Sequence, residues 1–347
     1  MKKFNIGVIG LGMGSTVLEI NNITESGLEV VGICDKDLKK ARNCQQSYGI
    51  KYLTDNYEEL VENNEIDIIA VFSPDHLHAE HCIAALENGK HVICTKPMVT
   101  GLEDAKKIVK LVDDRKLKFL VGQTMRYEPQ FKTIKKVYDD KELGDIISAE
   151  AHYVHDMRPV FKMTPWRLKV PQDLMYGGVC HPVDVLRWFL GDVQEVFAYS
   201  NRGKLEPEYQ IDGNFMLNLK FKNGIIGRIL GLYDIVHPPM PMMGVSIFGS
   251  RGSAIGSFSD KLGGEVKIVF DKFEEKVESR SVFPPETEGA YGHGATVIRY
   301  LKHFEYCLKN DQAPDPDVRQ GAKSISVCSA AWESIKTGLP VKVLNDF

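Results

Sequence analysis

Residues Phe4–Ile9 form an apolar run that stops at Gly10-Leu11-Gly12-Met13-Gly14-Ser15, and helical spacing follows over Thr16–Ile23. A strand, a glycine turn and a helix start, in that order, open a parallel βαβ unit and supply the context of a dinucleotide-binding turn. Gly10 permits the tight turn. Gly12 lets the backbone approach a diphosphate, whose charge the amino end of the next helix favours. Ser15 stands at the third glycine position of the fingerprint, beside Gly14, and is small enough for close helix–strand packing. Gly10, Gly12, Met13 and Gly14 are the expected cradle.

The second apolar run, Leu28–Cys34, ends at Asp35. An acidic residue about 20 positions beyond the glycine turn binds ribose hydroxyls and repels a 2′-phosphate, so Asp35 favours NAD over NADP. Lys36 would soften that preference by pairing with a phosphate, leaving NADP open. The competing role for Asp35 is a cap on a helix over Asp37–Gln46. A third run, Asp67–Phe72, enters the loop Ser73-Pro74-Asp75-His76-Leu77-His78, of which Ser73, Pro74 and His78 are expected to border the cofactor. A fourth, His91–Cys94, ends at Thr95-Lys96-Pro97, because Pro97 forbids its continuation as a central strand. Lys96 is thereby held at the carboxyl end of a strand, where ligands bind in open α/β sheets, with Pro97 beside the cofactor. There its ammonium would donate to a substrate oxygen. An amphipathic helix, Leu102–Arg115, and a strand, Phe119–Gly122, complete an alternating pattern that predicts a doubly wound parallel sheet over residues 1–122.

Beyond Gly122 the pattern changes. After a helix at Pro129–Asp140, strands are expected at Ile146–Tyr153, Val193–Ser200, Asn214–Phe221, Ile225–Tyr233, Val245–Phe248, Val266–Phe270 and Lys276–Val282. Lys222-Asn223-Gly224 reads as a hairpin turn. Consecutive strands with short turns predict a mostly antiparallel sheet in a second domain, 123–347, closed by helices at Thr296–Leu308 and Val318–Thr337. Within it, His181 and Asp184 lie three apart at the start of a helix, on one face. The helix dipole there disfavours an imidazolium and would poise His181 as a neutral base. The glycines Gly177 and Gly178 just upstream suggest a close backbone approach.

The 347 residues suit two domains, and a net charge of −4 without basic blocks argues against nucleic acid or a membrane surface. Seven scattered cysteines without a C-x-x-C pair argue against zinc and disulfides. No signal-like or spanning segment is evident, so a cytoplasmic protein is expected.

Taken together, GLGMGS, SPDHLHAEHCIAALENGKHVICTKPM, VGQTMRYEP, GGVCHPVD and AAWESIKTGLPVKV resemble the Gfo/Idh/MocA family of oxidoreductases over essentially the whole chain. The resemblance implies an amino-terminal Rossmann domain and a carboxy-terminal α/β domain whose large, mostly antiparallel, open-faced sheet mediates homodimers or homotetramers. It implies hydride exchange between nicotinamide and a sugar, inositol or related polyol. It also implies that Lys96 binds the reacting hydroxyl while His181 moves its proton. Thr95 replaces the Glu of the family's Glu-Lys-Pro, and Gly177 replaces an Asp four residues before the histidine. Arg126-Tyr127 match an Arg-aromatic pair, and Trp166-Arg167 a further family feature. With His155, Asp156, Arg158 and Asp184, these form the expected polyol contacts. Two other activities suit the same fold: glycoside hydrolysis through transient oxidation, and a non-enzymatic NAD-responsive regulator.

Overall fold

A computed structural model describes residues 3–259, 263–271, 275–279 and 293–347. By backbone contacts these fall into two units. The first takes residues 3–124, 293–322 and 347, the second 125–279 and 323–346.

In the first unit, β1 (Phe4–Ile9), β2 (Leu28–Cys34), β3 (Tyr52–Thr54), β4 (Ile68–Val71), β5 (His91–Thr95) and β6 (Phe119–Gly122) form one sheet in the order β3-β2-β1-β4-β5-β6. Every neighbouring pair is parallel. Ile6, Val8, Ile68–Val71 and Val92–Cys94 are fully buried, as expected of strands covered on both faces. The crossover helices are α1 (Leu38–Tyr48), α2 (Tyr57–Val61), α3 (His78–Glu87) and α4 (Leu102–Arg115). Strand order reverses between β1 and β4, which makes their carboxyl ends the crevice of a doubly wound sheet.

The helix after the glycine turn runs over Met13–Asn22, three residues earlier than its apolar spacing implies, and is wound as a 3₁₀ helix. Ser15 Oγ donates to Gly12 O at 2.9 Å and Thr16 Oγ1 to Met13 O at 2.7 Å. These side-chain bonds occupy carbonyls that an α-helical ladder would use. Asp37, not Asp35, caps α1 by accepting from Lys40 N.

The second unit holds α5 (Pro129–Asp139), β7 (Ile146–Val154), α6 (Arg158–Met163), α7 (Trp166–Lys169), α8 (Cys180–Leu190), β8 (Val193–Asn201), β9 (Asn214–Phe221), β10 (Ile226–Leu232), β11 (Met243–Gly249), β12 (Gly252–Ser259), β13 (Gly263–Phe270) and β14 (Glu275–Ser279). After them come α9 (His293–Lys309), which belongs to the first unit, α10 (Val318–Thr337), in which the division falls, and β15 (Val341–Lys342). The nine-stranded sheet runs β14-β13-β12-β11-β7-β10-β9-β8-β15. Only β7 and β10 pair in parallel among these strands. Strand β12 was not expected, because its Gly and Ser residues conceal the alternation. Residues 280–282 of the expected last strand lie outside the described residues.

Along β9, Phe215, Leu217, Leu219 and Phe221 point into the core, while Met216, Asn218 and Lys220 face outward. α8 and α5 pack on this sheet. Its outward side exposes Tyr199, Met216 and Ile226 around a groove of ≈ 410 Å³ lined by Glu150, Phe197, Asn218 and Arg228.

Gly10 is the tightest requirement of the first sheet. Its φ is +90°, and a Cβ there would sit 2.6 Å from Phe72 O and 2.8 Å from Ser73 N. Backbone cannot yield as a flexible side chain does. Gly10→Ala is expected to lower stability by about 2 kcal/mol or more through strain and overpacking, read as a fall in midpoint by urea unfolding.

Candidate functional site

The glycine turn is tied from two sides. Gly10 N donates to Cys34 O at 2.8 Å, and Leu11 N donates to Asp35 Oδ2 at 2.6 Å. Asp35 Oδ1 also accepts from Asp37 N at 2.9 Å. Asp35 thus joins the end of β2 to the turn after β1, a placement the capping alternative does not provide. Lys36 Nζ donates to Asp55 O at 2.7 Å, so its ammonium is turned toward that carbonyl rather than held for a phosphate. A Cβ on Gly12 would meet nothing within 4 Å, and the first turn of the following helix carries no acidic residue. Met13 beside it is half exposed, while Gly14 lies against Phe72 and Val8. Open space at a helix amino end whose first turn carries no carboxylate fits a diphosphate. The residues present therefore suit a dinucleotide.

The loops after β4 and β5 are held by two histidines of α3. His78 is fully buried, with Nε2 2.8 Å from Ser73 O and Nδ1 2.6 Å from Pro97 O. His81 Nδ1 lies 2.8 Å from Ser73 Oγ, and Tyr57 packs on the His81 ring at 4.4 Å. Of the residues expected to border a cofactor, His78 and the Ser73 hydroxyl are therefore turned to protein partners. Pro74 caps the short turn Asp75–Leu77. Lys96 is half-buried at the end of β5, joined to Pro97 by a cis peptide bond.

In the second unit His181 is buried, one turn before Asp184 on α8. The helix does not begin there. Met175–Val179 forms a π-helical turn leading into it, with Gly177 N donating to Asp173 O at 2.8 Å and Met175 N to Asp173 Oδ1 at 2.9 Å. His181 thus sits inside a continuous helical run and not, as its position before Pro182 implies, at a free amino end where a dipole would act on it, and Pro182 is not a first helical residue. The close approach expected of the glycines is to Tyr233. A Cβ on Gly178 would lie 2.3 Å from Tyr233 Cζ.

An aromatic cluster surrounds His181. Tyr153 meets its ring edge-on at 5.6 Å, stacks with His155 at 6.1 Å and meets Tyr233 at 5.2 Å. Tyr233 OH is buried without a hydrogen-bond partner among the described residues, and burial pushes its phenol well up. Tyr153 and Tyr233 flank the carboxyl ends of the parallel pair β7 and β10. Sequence reasoning passed over both, because at a strand end an aromatic reads as core. The signal was their position one step before and after strand termini that also carry His155 and Asp156.

Several expected substrate contacts are occupied within the protein. Arg126 and Asp184, both buried, form a bidentate pair, Nε to Oδ2 at 2.7 Å and Nη2 to Oδ1 at 2.8 Å. Ser324 Oγ adds a bond to Asp184 Oδ1 and receives one from Arg187, whose guanidinium burial pushes down to about 10. Arg126 and Asp184, both expected to meet a polyol, pair with each other. Asp156 accepts from Arg158 Nε at 2.9 Å and Nη2 at 2.6 Å, and Arg158 holds its carboxyl down at about 2. Tyr127 is buried, with Lys132 Nζ over its ring at 5.2 Å. Arg167 lies over the Trp166 ring at 4.3 Å and donates to Thr164 Oγ1 and Gln172 Oε1. These residues shape the walls of the second unit.

The parallel sheet, its glycine turn and the acidic end of β2 define an NAD-binding oxidoreductase. The chain belongs to the Gfo/Idh/MocA family: the family's NAD-binding Rossmann-fold model matches residues 4–123 and its C-terminal alpha/beta domain matches residues 135–343. It is similar to inositol 2-dehydrogenase 2 of Saccharopolyspora erythraea, 29% identical over 98% of this chain and 96% of the relative. It is also similar to 1,5-anhydro-D-fructose reductase of Ensifer adhaerens, 27% identical over 97% of this chain and 98% of the relative. Among solved structures it shares its fold with levoglucosan dehydrogenase in complex with NADH and levoglucosan, with a TM-score of 0.86, 22% identity and coverage of 99% and 100% of the two chains.

Burial pushes His81 down to about 4, well below its ordinary value of 6.5. Between these values the unfolded chain takes up a proton that the folded chain refuses, so this histidine makes stability fall as pH drops from 6.5 to 4. The loss should total about 3 kcal/mol and level off below pH 4. His81→Asn is expected to flatten that stretch of the stability curve, measured by urea unfolding at several pH values.

Proposed function

We propose that this chain oxidises a secondary hydroxyl of a sugar, inositol or related polyol, or catalyses the reverse reduction, using NAD. The observation that carries this reading is Lys96, a half-buried ammonium at the carboxyl end of β5, next in the sheet to the strand flanking the crevice. NAD, bound at the glycine turn, supplies a nicotinamide that accepts or returns a hydride. Gly10, Gly12, Met13 and Gly14 cradle its diphosphate, and the Asp35 carboxylate favours ribose hydroxyls over a 2′-phosphate. Ser73, Pro74 and Pro97 border it through their loops. Lys96 donates a hydrogen bond to the reacting oxygen, and His181 takes or gives the hydroxyl proton. Tyr153, His155 and Arg158 offer rings and donors to the remaining hydroxyls.

The similar proteins are named as dehydrogenases and a reductase, which favours net oxidation or reduction over transient-oxidation hydrolysis or a purely regulatory role. The seven free cysteines suit a reducing compartment, in keeping with a cytoplasmic location. No helix among the described residues is long and apolar enough to cross a membrane.

A panel of sugars, inositols and sugar acids, assayed by NADH absorbance, tests the reading. Wild type is expected to turn over at least one. Lys96→Ala and His181→Ala should each lower kcat by about 10²–10⁴-fold while NADH still binds. Absence of turnover across the panel, or full activity in both variants, would refute it.

The second unit's outward sheet face supports self-association into a homodimer or homotetramer, because Tyr199, Met216 and Ile226 form an exposed apolar surface there. Light scattering should give a multiple of the 39.0 kDa chain mass, and Ile226→Glu with Met216→Lys should reduce it to that mass.

A further inference from the structure

We propose that His78 is a positioning residue for Lys96: it pins the turn that carries Lys96 to the loop bordering the glycine cradle, and so sets where the ammonium stands. This role rests on the reaction proposed above only for its kinetic consequence; the geometry stands by itself.

The path runs through contacts inside one unit. Gly10, at the head of the cradle, lies against the backbone of Phe72 and Ser73, so closely that a Cβ would overlap both. Ser73 O lies 2.8 Å from His78 Nε2. The other nitrogen of the same ring lies 2.6 Å from Pro97 O, the carbonyl immediately after Lys96. Each ring nitrogen therefore faces a backbone carbonyl from a different loop, and each contact is a donation when that nitrogen carries its proton. The two loops follow β4 and β5, neighbouring strands of the sheet. The ring donates to both carbonyls at once only when both nitrogens carry a proton; with one proton it donates to one carbonyl and only packs against the other.

A rigid five-membered ring is suited to this. It spans two acceptors at a fixed separation, whereas a longer flexible side chain would leave them free to drift. His78 is fully buried and cannot reach a ligand itself, so any effect on catalysis passes through what it holds. Its neighbour one turn on, His81, takes the Ser73 hydroxyl, so α3 grips both polar groups of that serine. Lys96 itself is anchored through its backbone: β5 fixes it on one side and the Pro97 carbonyl on the other. Loss of the second anchor would let the Lys96 Nζ wander, and a displacement of about 1 Å can cost about 10²-fold in rate.

Two variants separate this from simple stabilisation. His78→Leu fills a similar volume without a donor, and His78→Gln keeps a donor nitrogen, as an amide NH2, on a flexible chain. The first readout needs neither cofactor nor turnover: trace acetylation of the intact protein with acetic anhydride, with Lys96 quantified by peptide mass spectrometry against the exposed Lys107 and Lys110. In His78→Leu the Lys96 ratio should change at least threefold, and in His78→Gln by a smaller factor in the same direction. The second readout is a double-mutant cycle. His78→Leu should lower kcat at least tenfold in wild type and less than twofold in the Lys96→Ala background, with His78→Gln recovering part of the loss.

An unchanged acetylation ratio in soluble, folded His78→Gln and His78→Leu would overturn the proposal. Equal kcat losses with and without Lys96 would overturn it as well, since they would mark His78 as merely structural. If His78→Leu does not fold, His78→Gln alone decides by the ratio. Should wild type oxidise no polyol, the functional reading fails while the acetylation ratio still decides the role of His78.

Discussion

The first unit depends on one backbone-on-backbone contact. Where strand order reverses, the turn after β1 presses on the start of the loop after β4, and only a residue without a side chain fits between them. Everything chemically useful in that unit follows from the closeness. The helix beginning at Met13 starts where its amide groups are exposed, and Asp35 reaches the turn from β2. The loop after β4 is fixed firmly enough to act as an abutment for α3. A parallel sheet has its strand ends on one edge, so one well-made crossing organises its neighbours.

The second unit solves a different problem. Its wide sheet is sealed on one side by α8 and α5 and left largely bare on the other among the described residues, and its buried carboxylates on and near α8 are matched with arginines. Arg126 neutralises Asp184, and Arg158 neutralises Asp156. Tyr153 meets the His181 ring edge-on.

Much of this was legible in the chain. The apolar runs of the first sheet and the glycine turn follow from local rules, and all six strands are parallel because helices intervene. The family was legible from its motifs, and strand β9 and helix α10 fall where their patterns place them. What was not legible was pairing. Nothing local tells that Arg126 and Asp184, 58 residues apart, neutralise each other, or that both nitrogens of His78 face carbonyls. Gly177 and Gly178 read as a close backbone approach ahead of a helix, yet they are wound into its π-helical lead, and it is Gly178 that lies against Tyr233. Strand β12 escaped because glycine and serine carry no alternation.

The Arg126–Asp184 pair has a bearing on how this chain can diverge. Removing either partner alone strands the other's charge away from water, a penalty of several kcal/mol, whereas exchanging both for apolar residues is often nearly neutral. The two positions are therefore locked in reciprocal epistasis. Lineages departing from this arrangement have to cross a valley or change both codons together, so the wall behind His181 should drift far more slowly than the groove on the opposite side of the same sheet.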